Sequence, residues 1–566
     1  MEDANDQATS PPTVTVVTIV QSALLHVDID KVLDWPPDLF AVCGLILQSS
    51  GCYLRCVIDW SPNLTETAHS DWMKMVEQTS DQWRTSLNSQ GSHPPDLVVR
   101  LWNDFKALSH VSISDLRKFE LADPDSESAK LCDTLLTLVA ISDGACIGAG
   151  IPSDDGSNAD SFEAEVAFLL WSCVRAGSRS TLCHLVDPDI VTVLPKVHTA
   201  QTGMTFRSLT HHLALLPTGE VTATWRWIDA TRPEEERHGI NVLVLPWPLE
   251  IVPKDFIPSS PRFGPLSTMP ESFGFFQYRS SRPPDFPEKI IQAYRNAESI
   301  VGRIDMVVLP EMALLDTEVD RLAELLVKGD LPPIIVTGVV EPSGKKVCNL
   351  SVTLIPNRFV PRYGNELKYE KIRQDKHHRW RLDGSQVRQY GLSGTLDPNC
   401  SWWEDTVLAR RNVNFFSFSP WLTWSVLICE DLARPDPIGE AVRAVGPNLV
   451  VALLMDGPQL AQRWPGRYGT VLADDPGSAV LTLTSLGMAT LARPPGCNPS
   501  RVIGLWKDSN LGVPVEMELP PNAEGLVLCL ARTQKSEFTA DGRGDGASSW
   551  QISLAGLHPV VRGLTG

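Results

Sequence analysis

The sequence predicts an α/β protein with layered sheets covered by helices, preceded by a separate α/β or mostly helical domain. Three observations carry this. The 566 residues exceed what one hydrophobic core usually serves. Before about residue 232 the apolar segments mostly have helical period. After residue 238, short runs rich in Val, Ile and Leu alternate with helical segments, as in sheets with helices on their faces.

Taken in order, residues 1–12 read as a disordered tail and residues 13–232 as the N-terminal domain. There Pro36 and Pro37 open a helix with Phe40, Cys43 and Leu47 on one face. "LCDTLLTLVAIS" and "SFEAEVAFLLWSCVRA" are also helical, with a loop at "GIPSDDGSNADS" between them. "HHLALLPTGEVTATWRWI" reads as two strands around a Pro-Thr-Gly turn. The polar "RPEEERHG" is a boundary, and a second domain spans 238–560. It opens on the strand "INVLVL", followed by a Pro- and Ser-rich insertion over 253–284 that suits a lid. A helix from Pro287 presents Ile290, Tyr294, Ala297 and Val301, and another lies between Asp316 and Gly329. "IDMVVLPE", "PIIVTGVV", "KVCNLSVTLIP", "WLTWSVLI", "NLVVALLM", "AVLTLTSLG", "RVIGLWK" and "GLVLCLA" are strands. "TQKSEFTADGRGDGASS" reads as a flexible loop before a last strand.

Bulk properties exclude several classes. A formal charge of −19 argues against a nucleic-acid or membrane-surface binder, although eight Lys or Arg and three acids lie between Arg358 and Arg381. No apolar run reaches a membrane span of about 18 residues. The 12 cysteines include no pair of CxxC motifs, so no structural metal site is expected. The acidic, polar start is unlike a secretory signal, and a protein of the reducing cytosol is expected.

In layered α/β folds chemistry sits where strands end. "VVLPE" places Glu311 just past a strand, "LKYEKIRQDK" places Lys371 in the basic segment, and "VLICEDLAR" ends a strand on Cys429. Singly, these read as a loop acid, a solvated cation and a small core residue. Together they supply a base, a cation and a nucleophile.

In this order, and with Pro-Glu, Tyr-x-Lys and Cys-Glu-Asp settings, residues 240–560 resemble the carbon–nitrogen hydrolase (nitrilase) superfamily. The resemblance implies a four-layer αββα sandwich, a Glu311–Lys371–Cys429 triad, no cofactor or metal, and a homo-oligomer of docked sandwiches. It implies attack by Cys429 on a small amide, a carbamoyl group, a glutamine-like side chain or a nitrile, through a thioester. Glu311 is the implied base, with Lys371 and the Glu430 backbone N–H serving the oxyanion. Lys368 and Lys376 remain alternatives to Lys371. Glu404 is the candidate second acid, with Asp375 and Asp383 nearby. Asp456, Trp464 and Arg467 are candidate pocket residues, the Arg as a partner for Glu430 or a substrate carboxylate. Asp431 suits a turn cap or a partner for Arg434. "CEDLARPDP" and "DGPQLAQRW" also look like nitrilase-like domains of multidomain bacterial proteins, among them defence-associated reverse transcriptases. That alternative implies a sensor, effector or oligomerisation module, with the N-terminal domain carrying a partner surface. No Tyr-x-Asp-Asp polymerase signature is present.

Overall fold

The computed structural model describes residues 14–24, 27–57, 66–87, 93–118, 125–151, 181–217, 221–228, 239–260, 269–279, 282–327, 332–343, 346–357, 368–408, 410–493, 496–544 and 548–562. The expected tail over 1–12, most of the loop over 150–161, the helix over 161–176 and the boundary over 232–238 lie outside them. The chain divides into two compact units. Unit 1 comprises Met1–Gly150, Asp155–Thr218 and Glu537–Ala547, and unit 2 comprises Ile151–Asp154, Gly219–Ser536 and Ser548–Gly566.

Unit 1 is built on helices Val16–Leu24, Pro36–Ser50, Glu66–Leu87, Asp96–Leu108 and Glu127–Gly144, with a small antiparallel pair, β1 (Val191–Pro195) and β2 (Leu213–Pro217). The Pro-initiated helix Pro36–Ser50 is buried on nearly every side and ends at Gly51, whose φ of 76° suits a residue without Cβ. Segment 537–544, expected to be a flexible loop, is anchored instead. Glu537 accepts from the Thr199 N–H at 2.7 Å, and buried Arg543 lies 3.8 Å from the Asp143 carboxylate.

The two strands expected to share a Pro-Thr-Gly turn do not pair. β2 pairs with β1 in unit 1, whereas β3 (Thr222–Trp227) pairs in parallel with β14 (Asn412–Ser419) of unit 2. The division therefore falls near Thr218 rather than at residue 232. Alternation marked the strands correctly, but it carries no information on long-range partners.

Unit 2 is layered. Its first sheet has the order β11 (Lys368–Asp375), β10 (Lys346–Asn357), β9 (Ile334–Ser343), β7 (Met306–Val308), β4 (Gly239–Val244), β20 (Ala523–Ser536), β21 (Ser548–Val561). Its second has the order β19 (Val515–Glu518), β18 (Val502–Lys507), β17 (Ala479–Thr484), β16 (Leu449–Leu454), β15 (Leu422–Ile428), β14, β3. Side chains alternate across each strand. Val242, Val244, Val308 and Val336 of the first sheet share a core with Val426, Val451 and Leu481 of the second. Leu243, Val307 and Ile335 point the other way, onto Phe286–Val301 and Asp316–Leu326. The second sheet is covered by Trp464–Asp474, whose Gly469 faces Val480 of β17, where an added Cβ would stand 3.5 Å away in ordinary contact. The order helix, sheet, sheet, helix is the expected αββα sandwich. Burial on both faces explains why these strands read as continuous apolar runs.

The insertion over 253–284 contributes β5 (Phe256–Ser259) and β6 (Phe273–Tyr278). They join β13 (Ser401–Glu404) and β12 (Arg381–Leu382) in a four-stranded sheet of order β12-β13-β6-β5. Its Phe256, Phe276 and Tyr278 pack in one apolar cluster with Trp380, Tyr390, Met312 and Met455. Among the described residues no helix is long and apolar enough to cross a membrane.

Candidate active site

Glu311 and Cys429 both follow strand ends of unit 2, and both ends carry unusual backbone. Among the described residues, the non-glycine positions with positive φ are Cys429 (48°) and Met312 (55°), the latter directly after Glu311. Such conformations are costly without Gly and persist where surrounding structure enforces them. At Glu311 the enforcing neighbour is Gly338 of β9, whose N–H donates to the Pro310 carbonyl at 3.1 Å. A Cβ on Gly338 would lie 2.4 Å from Glu311 Cα and 2.5 Å from Met312 N. Gly338→Ala is therefore expected to destabilise unit 2 by about 1–3 kcal/mol through overpacking. Denaturant unfolding checks the stability loss, and the position of Glu311 in a crystal structure of the variant checks its cause.

Glu311 is buried, and its Oε1 accepts from Lys376 Nζ at 2.7 Å and from Asn349 Nδ2 at 2.7 Å. Lys376 Nζ also donates to Glu404 Oε2 at 2.6 Å, and Asn349 Nδ2 to Glu404 Oε1 at 2.7 Å. One lysine and one amide thus clamp two buried carboxylates. Glu311 Oε2 has no hydrogen-bond partner. Burial raises the Glu311 carboxyl above its ordinary range, against the pull of Lys376 and with a push from Glu404. Burial alone would lower Lys376, but Glu311 and Glu404 outweigh it and hold the ammonium well above the usual lysine value.

Cys429 is also buried, at the end of β15. Burial pushes its thiol well above the ordinary value, and the Glu311 charge pushes in the same direction. Lys376 and the Met455 backbone N–H, which is directed at the sulfur, pull it down. Glu311, Lys376 and Cys429 therefore act electrostatically on one another.

Two ties hold the Lys376 turn against the Cys429 turn. Gln374 of β11 donates to the Val426 carbonyl of β15 at 2.6 Å, across the two sheets. Asp431, wholly buried, accepts from the His377 N–H at 3.2 Å, the His378 N–H at 3.1 Å and His378 Nδ1 at 3.0 Å. Asp431 is thus an inter-segment clasp, and Glu430 takes the salt bridge to Arg434 at 3.2 Å.

The structure does not bring Lys371 to Glu311. Lys371 forms ion pairs with Asp316 at 2.6 Å and Asp320 at 2.8 Å, on the helix-facing side of the first sheet. The reason is strand parity. Ile372 and Gln374 are buried on one face and Lys376 continues it, whereas Lys371 and Arg373 face the other way. The buried Ile372 is the signal that could have singled out Lys376; the Tyr-x-Lys context pointed to the wrong face. Glu404, the candidate second acid, shares Lys376 and Asn349 with Glu311. Asp383 instead caps the helix Gly384–Gln389 through the Gln386 N–H at 2.8 Å, and Asp375 closes β11.

Asp456, after β16, is 4 % exposed and accepts from Tyr390 Oη at 2.6 Å and Arg463 Nη2 at 3.0 Å. Arg467 lies exposed on the helix Trp464–Asp474, and Arg463, one turn earlier, takes the buried pairing instead. Trp464 heads that helix, half-buried, edge-on to Tyr468 at 6.3 Å. Asn349, Tyr390 and Arg463 are the polar groups that sequence reading missed.

No family model and no curated protein matches the sequence. Solved structures similar to the chain include an amidase from Nesterenkonia sp., at 14% identity over 52% of this chain and 92% of that one, with a TM-score of 0.31. Another is Saccharomyces cerevisiae Nit3, a member of branch 10 of the nitrilase superfamily, at 13% identity over 50% and 86%, with a TM-score of 0.29. A third is a CN-hydrolase superfamily protein from Xanthomonas campestris, at 14% identity over 42% and 84%, with a TM-score of 0.25. At these TM-scores the reading of the site rests on its own geometry. Two of these three are nitrilase-superfamily or CN-hydrolase-superfamily proteins and the other is an amidase, and they are matched over 42–52% of this chain.

Proposed function

We propose that unit 2 is a carbon–nitrogen hydrolase that cleaves a small amide or glutamine-like side chain, with Glu311, Lys376 and Cys429 as its catalytic residues. The observation that supports it most is the buried Glu311–Lys376–Glu404 array, of which Glu311 and Lys376 act on a buried thiol.

In this reading Cys429 Sγ attacks the amide carbon while its proton passes to Glu311, whose Oε2 is unpartnered. Two of the three Lys376 N–H bonds go to the carboxylates, leaving one for the developing oxyanion beside the Glu430 backbone N–H. Collapse breaks the C–N bond, and Glu311 returns the proton to the leaving nitrogen. The acyl group is left as a thioester on Cys429. Water, losing a proton to Glu311, attacks the thioester and the C–S bond breaks. The acid departs and the thiol regains its proton. Glu404 keeps Lys376 charged and in place. A different acceptor in the second half would give acyl transfer from the same intermediate.

The test is ammonia release from a panel of primary amides by the full chain and by Cys429→Ala. Release by the wild type alone is expected. Equal release by both, or none by either across the panel, would sink the hydrolase reading and favour a non-catalytic sensor or assembly module.

A further inference from the structure

Beside the catalytic groups lies a second polar cluster that the mechanism leaves unused. Tyr390, Asp456 and Arg463 converge on a single oxygen. Asp456 Oδ1 accepts from Tyr390 Oη at 2.6 Å and from Arg463 Nη2 at 3.0 Å. Arg463 Nη1 continues to the Pro458 carbonyl at 2.8 Å, and the Gly457 N–H donates to Tyr390 Oη at 3.3 Å. The other Asp456 oxygen, Oδ2, is buried and has no hydrogen-bond partner. A buried carboxylate oxygen left without a donor is expensive, and a folded chain keeps one where something else supplies the donor.

Three connections link Asp456 to the reacting groups. Asp456 directly follows Met455, whose backbone N–H is directed at the Cys429 sulfur. Tyr390 lies edge-on to Trp380 at 5.8 Å, and the Trp380 backbone N–H donates to Glu404 Oε2 at 3.1 Å. Met312 and Met455, each next to or bonded to a reacting residue, share one apolar cluster with Trp380 and Tyr390. Tyr390 therefore joins this carboxylate to the apolar cluster beside the reacting groups, and apolar neighbours with one unfilled acceptor are the composition of a small-molecule subsite.

Charge decides what the acceptor would take. The guanidinium of Arg463 already compensates the Asp456 carboxylate at 3.0 Å. An arriving cation would meet that guanidinium at short range in a poorly hydrated site, whereas an uncharged O–H or N–H would satisfy Oδ2 without repulsion.

We infer that Asp456, held by Tyr390 and Arg463, is a specificity-determining subsite for an uncharged hydrogen-bond donor on the acyl side of the substrate. The inference rests on the amide-hydrolase reading for the position of the scissile bond. The substrate class is a small amide whose acyl chain has an apolar body and carries a hydroxyl or a second amide.

The test uses the full chain with Cys429→Ala, so that amides bind without turnover. Calorimetry compares 4-hydroxybutyramide and 3-hydroxypropanamide with butyramide and propanamide, and with 4-aminobutyramide as the cationic counterpart. A hydroxylated amide is expected to bind about tenfold more tightly than its apolar counterpart, the size of one well-made hydrogen bond. The ammonium compound should show no such gain. Adding Asp456→Asn should bring the hydroxyl preference close to unity. Equal affinities, no binding of any of them, a preference for the cation, or a hydroxyl preference that survives Asp456→Asn would each overturn the subsite. If Asp456→Asn does not fold, the ligand comparison in Cys429→Ala alone still decides. Ammonia release by the wild type separates the two readings. A hydroxyl preference in binding without turnover overturns hydrolysis and leaves the subsite standing, whereas turnover without preference overturns the subsite alone.

Discussion

Lys376→Met is expected to cost unit 2 about 3–5 kcal/mol, the usual penalty for removing one partner from a buried ion cluster. Lys376 is about 1 % exposed, and its ammonium lies 2.7 Å from Glu311 and 2.6 Å from Glu404. Methionine fills a similar volume but leaves two buried carboxylates joined only by Asn349. The matching change at Lys371, whose partners Asp316 and Asp320 are partly or largely exposed, should cost no more than about 1 kcal/mol. Denaturant unfolding of the two variants makes the comparison. The pH dependence has a definite sign. Burial already raises Glu311 above its ordinary value, and loss of Lys376 removes the group that pulls it down. A carboxyl whose folded pKa exceeds its unfolded one contributes stability below the unfolded value and loses it as pH rises through the folded one. The deficit of Lys376→Met should therefore be smaller at pH 5 than at pH 8. Equal losses for the two lysines would remove Lys376 from the centre of the site.

The contrast between these lysines shows what the sequence made legible. Glu311 and Cys429 could be read because each ends or follows an apolar strand, and strand ends are marked by composition. Glu404 could be reached only through the family resemblance, as a Glu between the lysine and the cysteine, because the short strand Ser401–Glu404 has no apolar run to mark it. Lys376 is also at a strand end, but the strand Lys368–Asp375 carries a single aliphatic residue, so its buried face had to be inferred from Ile372 alone. Asn349 was hidden in an apolar run, where a lone amide looks like any half-buried polar residue. Its role depends on β10 pairing beside β11, a long-range fact that local pattern does not contain. The same limit explains the misread turn before β3 and the anchored segment 537–544. Gly and Asp at that tip suggested a loop, correctly, but Glu537 and Arg543 are held by Thr199 and Asp143, several hundred residues away in sequence. Asp431 looked like a local cap because acids favour helix starts. Its partners are instead the backbone of His377 and His378, and this contact joins the Cys429 turn to the Lys376 turn.

Glu311→Gln should slow alkylation of Cys429 by iodoacetamide by about 10²–10⁴-fold, the range that a positioned general base contributes. The thiolate is the nucleophile, yet burial and the Glu311 charge both push this thiol well above its ordinary pKa. At rest it is protonated, so reaction requires a base that takes the proton as the sulfur attacks. Glutamine keeps an oxygen to accept from Lys376 and Asn349 at the Oε1 position, so the clamp can survive while the base is lost. Burial, opposed by Lys376, holds the Glu311 carboxyl above its ordinary range, so the wild-type labelling rate should fall with acid through a pH above that range. Glu311→Gln should lack that limb and keep only the rise set by the thiol itself at high pH. Mass spectrometry of the labelled peptide gives both rates. An unchanged rate with the same acid limb in Glu311→Gln would assign proton transfer to another group, with Glu404, the other carboxylate on Lys376, the next to substitute.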